Sequence, residues 1–374
     1  MIRAACKTVG AHCLHAFGID RLLGRRSQKI PCLVLCYHRV VEDVRAHASS
    51  QPAMLVSLPT LERQLDWVGQ RYDLVSLDEL ARRLEEGSRS TRPPAAVTFD
   101  DGYADVYHHG LPLLRRKGVP ATIFVVADLV GKQRLHLHDE LYHLLRQAAD
   151  RIGAVGLAAL LERQGVARSA LRRLVSGSSS PSLVELSENL LRSSSWIENE
   201  LRVVALSQRF EIPQDVKAAC QVMSWTMVQE MQAAGITVGS HTRSHRLLPK
   251  EPAPRVISEL LGSKQILESA LGAEVRHLAY PDGQFSPGCV DAAGAAGYRY
   301  AYTTCGHRAP GKELLTIPRR TFWERTCAGA FGSFSPAMAA CQVQGVFEAA
   351  RPCRQPHDRP LGRSSAVAAM EAAS

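Results

Sequence analysis

Short apolar runs alternate with stretches of helical periodicity along most of this chain. Residues 30–37, 95–99, 121–126, 236–238, 278–280 and 300–303 have the length and character of buried strands. Between them, Leu61, Leu65 and Val68 recur at helical spacing, and 77–84 reads as a helix closing at Gly87. Residues 104–117 read as a helix kinked at Pro112 and stopped by Gly118. Thr226-x-x-Gln229 has the form of a capping box, opening a helix that Gly235 ends. Further helices are expected over 255–271, with Gly272 after it, and over 288–296. Strand, helix, strand repeated in this way predicts an α/β fold with a parallel sheet.

Three segments depart from the alternation. In residues 1–29, Ile2, Cys6, Val9, Cys13 and Phe17 recur at helical spacing, with Lys7, His12 and His15 between them. This predicts an amphipathic helix ending near Gly24, either packed on the main fold or lying on a membrane surface. Residues 131–222 are rich in Leu, Arg and Ser, with helical stretches at 154–161 and 170–175 and a loop over 176–181. They read as a helical insertion, serving as a lid, a substrate-length selector or plain decoration. From 334 to 374 the chain is Ala/Arg/Ser/Pro-rich without apolar period, which predicts a disordered tail. The main domain is therefore expected over 30–330.

With 374 residues the chain can bury one large domain or two small ones. Its 45% hydrophobic and 22% charged residues are ordinary for a soluble globular protein. The formal charge is +9, and +5 of it sits in residues 1–29, where six Lys/Arg face one Asp. No basic stripe interleaved with aromatics appears, so no nucleic-acid partner is expected. The charge suits a membrane surface or an anionic glycan carrier better. Ten cysteines without a Cys-x-x-Cys pair suggest reduced thiols. The N-terminal apolar residues are too interrupted for a signal-peptide core, and no stretch approaches a transmembrane span. The expectation is a cytoplasmic protein or one peripheral to the membrane.

The candidate chemistry lies in two clusters. Asp100-Asp101-Gly102 ends the run 95–99, and two adjacent carboxylates are costly to keep ionised unless a cation or a donor compensates. His241 and His245 follow the run 236–238, where both imidazoles can turn toward one point. With Asp101 they would form a one-carboxylate, two-histidine set that leaves positions open for water or substrate. Nitrogen donors favour zinc over magnesium among divalent metal ions. Asp100, beside that set, could serve as a general base.

Thr98-Phe99-Asp100-Asp101-Gly102 and His241-Thr242-Arg243-Ser244-His245 resemble the first two motifs of the polysaccharide deacetylases, the NodB-homology, carbohydrate esterase family 4 group. Leu35-Cys36-Tyr37-His38-Arg39-Val40, Pro120-Ala121-Thr122-Ile123-Phe124-Val125 and Ala279-Tyr280-Pro281-Asp282-Gly283 add weaker similarity in family order, over about residues 31–320. The resemblance implies a distorted (β/α) barrel with fewer than the standard eight strands, its chemistry at strand C-terminal ends. His38, Asp100, Asp101, His241 and Pro281 all fall there. It further implies a metal on Asp101, His241 and His245, Asp100 as base, and an N-acetylated sugar in a polysaccharide, oligosaccharide or lipid-linked glycan as substrate.

Two departures stand against the family pattern. The third-motif arginine that fixes the catalytic aspartate falls at Ala279, and the aromatic position falls at Asp282. Arg319 and Arg320, after Pro318, are the candidates to orient Asp100 instead. No late Leu-x-x-His motif supplies a general acid; His38 is the better candidate and His307 the alternative. An amide hydrolase acting on a non-carbohydrate substrate, or a weakly active glycan-binding barrel, are the competing readings.

Overall fold

Strands covered on both faces read as unbroken apolar runs, and here they assemble into one parallel sheet. The computed structural model describes residues 2–20, 32–47, 51, 54–86, 91–176, 180–349, 353 and 357. In chain order the strands are β1 (Leu33–Tyr37), β2 (Arg39–Val41), β3 (Leu55–Ser57), β4 (Asp73–Leu74), β5 (Pro94–Phe99) and β6 (Ala121–Val125). After these come β7 (Thr237–Ser240), β8 (His277–Ala279), β9 (Tyr300–Thr303), β10 (Ile317–Pro318) and β11 (Arg320–Thr321). Eight follow one another as β10-β9-β8-β7-β6-β5-β1-β11, with β4 beside β5 and β2 paired with β3 apart.

The sheet curls into a nearly closed barrel, as the family resemblance implied, but with eight strands along its path and not fewer, because the short β10 and β11 complete the circuit; one short segment does the closing. β10 pairs with β9, placing Ile317 opposite Tyr302, and β11 pairs with β1, placing Arg320 opposite Leu35. Residues on either side of Arg319 therefore hold the two edges of the sheet. Arg319 N donates to Thr303 O at 2.8 Å and Phe322 N to Cys36 O at 2.8 Å. These strands lie beyond 300–303, the last one expected; two residues each are too short for an apolar period to mark them.

Alternation along each strand separates two cores. Leu33, Leu35, Tyr37, Val97, Phe99, Ile123 and Val125 belong to the large outer cluster, while Val34, Ala96, Phe124, Ala279, Tyr302 and Ile317 form the inner one. Gly239 on β7 leaves room for the Phe124 ring: a Cβ there would stand 2.5 Å from its Cε1.

Local expectations needed three corrections. The kink assigned to Pro112 is a π-helical turn, Val106–Gly110, leading into a helix Leu111–Lys117 that carries Pro112 in its first turn, where no N–H is required. The helix Trp225–Ala233 is capped by Ser224, whose hydroxyl accepts from Met227 N at 3.2 Å, and not by Thr226. The disordered tail expected over 334–374 is not found in 334–349. Helices Pro336–Val343 and Val346–Ala349 form there, because alanine is the best helix former and an apolar partner is at hand. That partner is the N-terminal helix Ile2–Ala16: Met338 and Cys341 cluster with Ala11, and the Lys7 ammonium lies 3.9 Å over the Phe347 ring. Residues 350–374 lie outside the described residues except for 353 and 357.

The N-terminal helix closes at Ala16, ahead of Gly18 with φ 67°, short of the end expected near Gly24, since the left-handed backbone at Gly18 breaks the helix. Its inward face is Ala11 and Leu14, so the periodic set read from the sequence points outward: Cys6 and Cys13 are exposed, Val9 is 62% and Phe17 78% exposed. Among the described residues no helix is long and apolar enough to cross a membrane.

Chain contacts divide the protein into two units, one holding the barrel and the other comprising 47–51 and 132–222. The second is helical, built from Leu137–Arg163 (broken at Gly153, φ 71°), Arg168–Ser176, Ser180–Ser193, Trp196–Ser207 and Gln214–Ala219. It has its own leucine core, including Leu141, Leu145, Leu157, Leu161 and Leu206. Of the loop expected over 176–181, residues 177–179 lie outside the described residues.

Candidate active site

The strand ends bring one carboxylate against one guanidinium. Asp100 follows β5 and is 3% exposed. The two terminal nitrogens of Arg319 donate to its Oδ1 and Oδ2, each at 2.6 Å, and the Cys36 thiol donates to Oδ2 at 3.4 Å. Burial by itself would raise the Asp100 carboxyl, but Arg319, with His241 and His38 nearby, outweighs it and holds the group below the usual carboxylate range. The guanidinium also lies 5.3 Å over the Phe124 ring, in the inner core that holds Ala279. The aspartate clamp absent at position 279 is thus provided by Arg319. Arg320, on β11, lies beside Gly345 instead.

Asp101 faces both histidines. Its Oδ1 is 3.5 Å from His241 Nε2 and 3.2 Å from His245 Nε2, and one ligand atom from each of the three lies within 4.8 Å of the others. His241 Nδ1 is 2.8 Å from Ala279 O. A carbonyl only accepts, so Nδ1 carries the hydrogen and Nε2 turns its lone pair toward Asp101. Burial lowers the His241 imidazole to about 4, against the opposing pull of Asp100. Burial also opposes protonation of His245, but the hydrogen bond to Asp101 prevails and raises it. A neutral imidazole lone pair and a carboxylate oxygen facing each other are favourable only with a cation between them. The donor set, with the second nitrogen of His241 anchored to a carbonyl, fits a divalent metal ion.

The loops carrying these groups are strained. The non-glycine residues with positive φ among the described residues are Asp101 (70°), Thr242 (65°), His245 (64°) and Asp282 (53°), all at this rim. For β-branched Thr242 the conformation is costly, and hydrogen bonds enforce it. Thr242 N donates to Ser240 Oγ at 3.2 Å, His245 N to Thr242 Oγ1 at 3.1 Å, and Ala127 N to Thr242 O at 3.2 Å. Glu259 completes the loop, accepting from Ser244 N at 2.7 Å and Ser244 Oγ at 2.6 Å. Sequence reasoning missed Glu259. The signal was available: it interrupts the buried face Val256, Leu260, Ser263, Leu267 of the helix Ala253–Leu271, where an acid needs partners.

His38 and His307 part company. His38 groups with Cys36 and Asp100, one ligand atom of each lying within 4.8 Å of the others, and its buried Nδ1 makes no hydrogen bond among the described residues. The chain just after it is fixed by Asp105, which accepts from Arg39 Nε at 2.8 Å and Val40 N at 3.2 Å. His307 lies with Cys305, Cys353 and His357 instead. In the loop after β8, Gln284 donates to Asp282 Oδ2 at 2.7 Å, and the Gly283 and Gln284 N–H groups close the turn on Tyr280 O and Pro281 O.

Comparison with known proteins points one way. The family model described as polysaccharide deacetylase matches residues 87–161 and 194–301. YxkH of Bacillus subtilis, curated under a polysaccharide deacetylase name, is 28% identical over 113 residues, 30% of this chain; the match spans only 37% of the relative's length. Among solved structures, the Streptococcus pyogenes deacetylase PplD, in complex with acetate, covers 79% of this chain and 93% of its own, with a TM-score of 0.50 at 17% identity. BC0361, a polysaccharide deacetylase from Bacillus cereus, covers 83% and 68%, with a TM-score of 0.50 at 18% identity. At these identities the structures establish the barrel fold.

Removing Arg319 leaves a buried carboxylate uncompensated. Arg319→Met is expected to lower unfolding free energy by about 3–5 kcal/mol, and Arg319→Lys to recover part of it, since lysine keeps the charge but loses the two-pronged geometry. Urea unfolding checks this, and an Arg319→Met variant of parental stability would contradict it.

Proposed function

From the match to the polysaccharide deacetylase family model over residues 87–161 and 194–301, we propose that the barrel of this chain is a polysaccharide deacetylase and hydrolyses the N-acetyl amide of a sugar in a polysaccharide, oligosaccharide or lipid-linked glycan. The observation that carries the reading is Asp101 facing the Nε2 atoms of His241 and His245, with Asp100 clamped beside it. Asp101, His241 and His245 would hold a divalent metal, zinc by the nitrogen donors. Such an ion, when bound, polarises the acetyl carbonyl and lowers the pKa of water at the site.

The remaining work belongs to the chain. Asp100, ionised and fixed by Arg319, takes a proton from the water as it attacks the carbonyl carbon. The clamp leaves it this capacity, because each carboxylate oxygen has a second lone pair beyond the one given to Arg319. A backbone N–H at Asp282 donates to the oxyanion. His38 gives a proton to the leaving nitrogen, so that acetate and a free amine on the sugar separate. An arginine on Asp100 favours this active reading over a barrel that merely binds glycan.

Acetate release from N-acetylated oligosaccharides tests the proposal. Release should stop on chelation and return with zinc. Asp101→Asn should lose metal and turnover together, whereas Asp100→Asn should keep the metal with turnover down about 10²–10⁴-fold. His38→Ala should slow turnover with the metal retained. Parental turnover by metal-bound Asp100→Asn would remove the base, and no acetate from any acetylated glycan would remove the activity.

Peripheral membrane contact through the helix Ile2–Ala16 is a second part of the proposal, supported by the exposed Val9 on it, Phe17 just after it and the basic excess of residues 1–29. Co-sedimentation with anionic vesicles should fall in a Val9→Ser, Phe17→Ser variant. Unchanged binding would leave the helix a packing element alone.

A further inference from the structure

Away from Asp100 and Asp101, the loop after β9 and the segment beyond Val346–Ala349 bring two cysteines and two histidines together. One ligand atom from each of Cys305, His307, Cys353 and His357 lies within 4.8 Å of the other three. Cys305 Sγ and Cys353 Sγ each stand 3.3 Å from His357 Nε2, and the His307 and His357 ring centroids are 4.3 Å apart. Cys305 and His357 are buried, Cys353 is half-buried and His307 is exposed.

The donor atoms converge on a common point. His357 Nδ1 is 3.2 Å from Phe285 O, an acceptor, so Nδ1 carries the hydrogen and Nε2 offers a single lone pair. Two sulfurs converge on that lone pair, and Cys305 Sγ is also 3.5 Å from Thr303 Oγ1. A cation at the centre satisfies both sulfurs and the nitrogen at once. Around zinc, with sulfur at about 2.3 Å and nitrogen at about 2.0–2.1 Å, the edges of a tetrahedron are about 3.3–3.8 Å, the scale of the contacts seen here. The carbonyl on the far nitrogen of His357 is the outer partner that metal-bound histidines ordinarily have.

We propose that Cys305, His307, Cys353 and His357 form a second metal site, a structural zinc clamp. Four protein donors leave no open position, unlike the Asp101, His241, His245 set, so the clamp binds no substrate. It ties the chain beyond Val346–Ala349 to the loop after β9 and, through His357 and Phe285 O, to the loop after β8 that carries Asp282. It also gives His307 a task of its own, away from Asp100. The inference does not depend on the deacetylase reading.

Cobalt substitution tests it, because only thiolate ligands give a strong sulfur-to-cobalt charge-transfer absorption in the near ultraviolet, and the Asp101 set contains none. Reduced, cobalt-loaded parent protein should show that band. His241→Ala should keep it, while Cys353→Ser and His357→Ala should lose it. Elemental analysis of the zinc form should fall from about two equivalents per chain to about one in either Cys353→Ser or His241→Ala, each removing a different ion. Absence of the thiolate band in the reduced parent protein would overturn the clamp without touching the other site. A Cys305–Cys353 disulfide found by mass spectrometry in protein purified under reducing conditions would overturn it as well.

Discussion

The fold depends on one buried ion pair. Asp100 has almost no contact with water, and a carboxylate so placed must be given a cation or several donors. The partner arrives from 219 residues further along the chain, two nitrogens against two oxygens. Because Arg319 is the hinge between β10 and β11, the contact that fixes Asp100 is also the contact at which the sheet closes. Barrel closure and the orientation of Asp100 are therefore coupled. The methyl of Ala279 suits this arrangement: it shares the inner core with Phe124, over whose ring the guanidinium lies, leaving that layer to an arginine entering from the closing segment.

Around that pair the chain accepts strain where donor atoms must converge. The positive-φ residues Asp101, Thr242, His245 and Asp282 stand in the loops after β5, β7 and β8, two to five residues beyond the strand that fixes each loop's direction. Backbone bonds to the loop after β6 and the carboxylate of Glu259 hold the histidine loop in place. His241 and His245 can consequently keep their Nε2 atoms on Asp101 although a threonine between them occupies an unfavourable conformation.

Much of the barrel could be read from the chain because its strands are buried on both faces and its helices end at glycines such as Gly118, Gly235 and Gly272, all left-handed in the structure. Asp100, Asp101, His241 and His245 were legible as a group, since two carboxylates beside a glycine and two histidines four apart need each other to be stable. Three features were hidden for physical reasons. β10 and β11 are too short to carry a period. The C-terminal helices are alanine-rich, a composition shared by disordered segments, and only their packing on Ala11 and Leu14 distinguishes them. The cysteine–histidine cluster joins two distant segments with no Cys-x-x-Cys spacing, so convergence of the backbone is its only signal.

The coupling of Arg319 to the chemistry of Asp100 is most directly tested by the turnover of Arg319→Ala on an N-acetylated oligosaccharide at metal content matched to the parent. Without its clamp Asp100 loses both its fixed orientation and the charge that keeps it ionised. Turnover should then fall by about as much as removing a positioned base does, 10²–10⁴-fold, with the metal still bound. Parental turnover in a folded, metal-loaded Arg319→Ala protein would contradict the account.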